Sequence, residues 1–138
     1  MLRLTMTSRK RRGTVVLSAG AILLAVGALL GWLVAISVDR PQLLARAGVR
    51  HAHRVLQVHL DYLMMGLVLL TVGTAFPSLP TWVTTFVMIG AVTNPLLFVP
   101  LAFRQEFSQR LWYKVFAFIS FSLVSIGLLA VATNVGVG

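Results

Sequence analysis

The chain has 138 residues, of which 58% are hydrophobic and only 11% charged, with a net charge of +9 and no Cys; soluble domains carry about 25% charged residues, so a soluble globular domain is excluded. The Lys and Arg residues gather outside the apolar runs, where they serve topology and lipid-headgroup anchoring and do not point to nucleic acid. The lack of Cys removes disulfides, thiolate metal sites and a Cys nucleophile, and only Asp39, Asp61 and Glu106 are available for carboxylate chemistry.

Residues 1–13 form a basic arm, with Arg3 and then Arg9, Lys10, Arg11 and Arg12. The first apolar run covers 14–38. As a helix it is about 37 Å long, enough to cross a bilayer core of about 30 Å with some tilt. A basic start before an apolar run also describes a signal peptide, but this run exceeds the usual h-region of about 7–15 residues. Ala35-Ile36-Ser37 keeps processing as an alternative. Gly20, Gly27 and Gly31 lie near one side of this helix. Gly27-x-x-x-Gly31 either permits close helix approach or reflects the abundance of Gly in membrane helices.

Residues 39–50 read as a polar link, with Pro41 stopping the first span. The second span covers 51–76, and Pro77-Ser78-Leu79-Pro80 turns it tightly into a third over 81–103. These two spans are therefore antiparallel neighbours. Asn94-Pro95 and Pro100 interrupt the third span, and each Pro frees an upstream carbonyl that another group must satisfy. A charged loop, 104–110, leads to the fourth span over 111–133, anchored by Trp112, Tyr113 and Lys114. The fold class is all-α: an integral membrane four-helix bundle with antiparallel up-down topology. The positive charges divide five to seven between its two sides. The basic arm before the first span sets both termini in the cytoplasm, with the chain in the cell (inner) membrane.

The second span is unusual. It carries Arg54, Gln57, His59 and Asp61 near its start. Ionisable groups in hydrocarbon face protein or a water-filled cavity and are candidate functional groups by default. At about 100° per residue, His59, Tyr62, Leu63, Gly66, Leu70 and Gly73 share one face. Arg54, Gln57, Asp61, Met64, Met65 and Val68 share a roughly opposite one. Neither face suits lipid, so this span is expected to be the most enclosed helix, with a homo-oligomer burying its second polar face. His59 above Gly66 and Gly73 leaves room for a flat ligand, and neutral imidazole is a good axial ligand for haem iron. The alternative is a His hydrogen-bonded to another helix, with the Gly residues serving packing. Arg54 and Asp61 read as a charge-neutralising pair or as a proton relay. His51 and His53 form a weak His-x-His signal at the membrane boundary. Asn94 either satisfies a freed carbonyl or offers a hydrogen bond to a ligand.

The stretch His59-Leu60-Asp61-Tyr62-Leu63-Met64-Met65-Gly66, followed by an apolar run and Phe76-Pro77-Ser78-Leu79, resembles the small four-helix membrane isomerases, styrene-oxide isomerase and hydroxylaminobenzene mutase. That family has a His, an Asn-Gly pair six and seven positions on, and an apolar run closed by Pro-x-Leu. His59, Gly66, Pro77 and Leu79 match, and Asn94 matches an intramembrane Asn of the next helix. The resemblance implies haem b held by His59, with Gly66 and Gly73 bordering it. Its ferric iron would act as a Lewis acid in a redox-neutral rearrangement of a small apolar epoxide or arylhydroxylamine. Asp61, Tyr62 and Asn94 are the candidate catalytic groups. Met65 replaces the family's Asn, and Phe98 stands where styrene-oxide isomerase has a Tyr; neither side chain can make those hydrogen bonds. A non-catalytic membrane subunit and a proton-coupled transport component using Arg54, His59 and Asp61 are the competing readings.

Overall fold

The computed structural model describes residues 2–136, with side chains described for 11–134. Helix α1 covers Leu2–Asp39, α2 Pro41–Arg46, α3 Ala52–Ala75, α4 Thr81–Phe103 and α5 Leu111–Gly136. A 3-10 turn, Gln105–Gln109, joins α4 to α5. Four of the helices are long and apolar enough to cross a membrane: α1 from Arg11, α3, α4, and α5 as far as Asn134. The chain is an all-α membrane protein whose four spans run up and down.

Three features differ from the expectation. The basic arm continues the first span as helix, because no Pro intervenes and Arg and Lys are good helix formers. The link also holds the short helix α2. Pro41 stands at its first position, where the missing N–H costs nothing. Gly48 ends it with φ of 85°. Gly48 N–H donates to the Ala45 carbonyl and Val49 N–H to that of Leu44, both at 3.0 Å. This is a Schellman closure, which needs a left-handed residue at that position. Helix α4 runs unbroken through Pro95 and Pro100.

The spans pack in a row: α1 on α3, α3 on α4, α4 on α5. Small residues close the two outer contacts. Between α1 and α3 a ladder alternates Leu and Gly, with Leu17 at Gly73, Gly20 at Leu69 and Leu70, Leu24 at Gly66, and Gly27 at Leu63. Between α4 and α5, Val124 sits on Gly90 and Val87 on Gly127. Interfaces of this kind let backbones approach where lipid provides no hydrophobic drive between helices. Helices α3 and α4 supply most of the core, including Val58, Tyr62, Leu69, Val72, Val83, Val87 and Ala91. The most enclosed span is α4, with nine of its 23 residues buried against six of 24 for α3. That corrects the expectation for the second span: α1 meets its His59 side and α4 meets Asp61, yet Met64 stays 61% exposed.

Candidate functional site

His59 and Asp61 lie on different sides of α3 and meet different helices. His59 turns to α1. Its Nδ1 stands 2.7 Å from the Gly27 carbonyl oxygen. That oxygen can only accept, so Nδ1 donates. The ring lies beside Gly31, where a Cβ would stand 3.2 Å from His59 Cε1. His59 thus occupies the last rung of the α1–α3 ladder, and it is half-buried.

The groove expected over Gly66 and Gly73 is filled. A Cβ on Gly66 would meet Leu24 Cγ at 2.8 Å, and one on Gly73 would meet Leu17 Cδ2 at 3.0 Å. These glycines admit α1, and they leave no slot for a flat ligand below His59. Gly73 also lines a cavity of about 300 Å³ at the far end of the bundle, beside Arg12, Ser78 and Thr81. The Arg12 guanidinium donates to the Thr81 hydroxyl there.

Asp61 turns to α4. The Asn94 amide N–H₂ donates to both of its carboxyl oxygens, at 3.0 and 2.8 Å. The expected Arg54–Asp61 pair is not formed. Arg54 donates instead to Gln57 Oε1 at 2.6 Å, one turn along the same face, and a residue seven positions away is about 10 Å along the axis. Asn94, 4% exposed, serves Asp61 and not a carbonyl freed by Pro. Tyr62 is buried in the core among α3 and α4 side chains. On α5, the Tyr113 hydroxyl donates to the Leu97 carbonyl at 2.7 Å, and Ser120 pairs with Thr93 of α4 at 2.7 Å.

The structure therefore joins Asp61 to Asn94 and separates both from His59. The His51 and His53 rings meet edge to face at the membrane boundary. No group of three or more potential metal-ligating side chains forms among the described residues. The alternative reading of His59, a hydrogen bond to another helix with the Gly residues serving packing, is what forms; the sequence did not single out the Gly27 carbonyl, because every residue offers one and only packing selects it. Sequence reasoning also missed the pairing of Asp61 with Asn94, although their similar distances from the hairpin turn, 16 residues before Pro77 and 14 after Pro80, were a usable signal. No family model, no curated protein and no solved structure matches the chain.

Proposed function

We propose that the chain is a haem-b-binding membrane protein of the styrene-oxide isomerase kind, acting on a small apolar epoxide or arylhydroxylamine that arrives from the bilayer. The hydrogen bond from His59 to the Gly27 carbonyl carries this reading. With Nδ1 holding the proton, Nε2 keeps its lone pair for a metal. Metal-ligating imidazoles are held in this way, the far N–H on a backbone carbonyl fixing tautomer and ring orientation. His59 is the ligand, Gly27 orients it, and Gly31 leaves the space beside the ring. Leu17 and Leu24 fill the side over Gly66 and Gly73, so a haem group held by His59 would have to be accommodated outside the α1–α3 contact. A second copy of the chain covers it there, making the functional unit a homo-oligomer. When bound, haem b supplies an iron centre that polarises a substrate oxygen. The protein resides in the cell membrane with both termini cytoplasmic, following the basic run before the first span.

The test is an absorption spectrum of the detergent-purified protein beside His59→Ala and Gly31→Val. The expected outcome is a Soret band that is lost in the first variant and weakened in the second, followed by redox-neutral turnover of epoxides. A chain that stays haem-free after expression with ample haem refutes the reading. A non-catalytic membrane subunit then leads. Met65 and Phe98 favour that alternative, since both pack against the core at positions where a polar group would serve substrate.

A further inference from the structure

The cavity of about 300 Å³ lies at the end of the bundle that carries the basic arm, between the start of the α1 span and the turn from α3 to α4. Its floor is apolar: Val16 and Val72 are buried there, with Phe76 beside them. Its mouth is polar, formed by Arg12, Ser78 and Thr81, all exposed. The Arg12 guanidinium donates to the Thr81 hydroxyl. That hydroxyl keeps its own hydrogen for another acceptor, and the guanidinium has further N–H groups to give. Ser78 adds a second hydroxyl. Donors therefore gather at the mouth, and no carboxylate lines the cavity to accept from them.

The charges are one-sided as well. Of the three acids in the chain, Asp39 closes α1 at its other end, about 40 Å from Arg12 at about 1.5 Å per residue. Asp61 lies about 22 Å along α3 from Phe76, and Glu106 follows the far end of α4. Arg9, Lys10 and Arg11 precede Arg12 on the same helix, so this end is cationic with no acid to balance it. The opposite end differs. A cavity of about 270 Å³ there carries Arg50 and Arg104, but Glu106 lines it too, and an anion seated there would meet a carboxylate.

We propose that the cavity beside Arg12 binds the phosphate diester of one anionic phospholipid. The phosphate accepts from Arg12, Thr81 and Ser78, and the glycerol lies on Val16, Val72 and Phe76. The position suits a lipid. Arg12 opens the first span and residues 77–80 link the second to the third, so the mouth stands at headgroup level. Small-ligand pockets hold about 300–1,000 Å³; this one takes a headgroup and leaves the acyl chains in the bilayer. A free inorganic anion would give up hydration to an apolar floor, and a zwitterionic lipid would bring an ammonium group among cations. Gly73, which holds Leu17 of α1, also borders the cavity. The bound lipid thus ties α1 to the α3–α4 turn at the end of the ladder remote from His59.

The test uses the full chain, delipidated in a non-ionic detergent, and needs no haem. Native mass spectrometry follows its titration with dioleoylphosphatidylglycerol, dioleoylphosphatidylcholine or inorganic phosphate. The expected result is one phosphatidylglycerol per chain, bound ahead of phosphatidylcholine and not displaced by inorganic phosphate. Arg12→Gln should weaken binding about thirtyfold, as the loss of hydrogen bonds to a charged group implies. Arg11 does not line the cavity. Arg11→Gln removes the same charge and should cost about fivefold at most. Gly13 lines the cavity, and a Cβ there meets nothing within 4 Å. Gly13→Leu therefore fills the space with every charge kept, and should abolish the stoichiometric lipid. Equal losses in Arg12→Gln and Arg11→Gln overturn the proposal, as does Gly13→Leu binding like the parent chain. Equal binding of the two lipids overturns it too. Displacement by inorganic phosphate assigns the cavity to a free anion and overturns the lipid. If Arg12→Gln is not helical by circular dichroism, Gly13→Leu decides.

Discussion

Gly66→Ala should loosen the α1–α3 contact. The added Cβ would stand 2.8 Å from Leu24 Cγ and 2.9 Å from Leu24 N. Carbon contacts settle at about 3.5–4.0 Å, so the helices must part by roughly 1 Å. A rotamer change at Leu24 cannot relieve it all, because one of the clashing atoms is backbone. Overpacking of this kind costs about 1–3 kcal/mol. Ala also favours the helix over Gly by about 0.5–1 kcal/mol, which masks part of the effect. Gly13→Ala isolates that second contribution, since a Cβ there meets nothing within 4 Å. The measurement is reversible unfolding in mixed micelles, followed by helical circular dichroism. The difference between the two variants is expected to be about 1–3 kcal/mol. Equal stabilities for the two would refute the ladder as the source of the contact. The same variant should stretch the His59–Gly27 hydrogen bond.

Other outcomes follow from single contacts. Gly48→Ala places an L side chain at φ of 85° and should lose about 1–2 kcal/mol, read as a lower thermal midpoint. Asn94→Leu strips Asp61 of its only amide donor and should cost about 1–3 kcal/mol in the same unfolding assay. Ser120→Ala removes the link to Thr93 and should cost only about 0.6 kcal/mol, at most about 1.7, the range of hydrogen bonds between membrane helices. A larger loss would mean that Ser120 supports more than Thr93.

The four spans were legible because each is a long apolar run, bounded by Pro or charge at the links between them, and hydropathy alone separates such runs from those links. The ends of α3 and α4 were legible because Pro77 and Pro80 permit little else. The two sides of α3 were legible as polar, but not what they face. His59 and Gly31 are joined across the link from 39 to 50, whose internal helix sets a register that composition does not reveal. Asp61 and Asn94, by contrast, flank a tight hairpin, and register around that turn brings them level. The groove reading failed at Gly66 and Gly73 for a specific reason. A glycine row marks where something comes close, and the sequence does not say whether that is a cofactor or Leu17 and Leu24 of the next helix.

The alternation on α1 and α3 has a consequence for how the protein assembles. Each helix offers bumps and hollows, and the hollows of one lie opposite the bumps of the other. Sliding α1 by one turn would set Leu against Leu and Gly against Gly, leaving gaps beside collisions. The two spans therefore share one axial setting, like a key cut for a single depth. At that setting the last hollow is Gly31 and the last bump is an imidazole, so the fit that inserts the helices also sets the direction of the His59 ring.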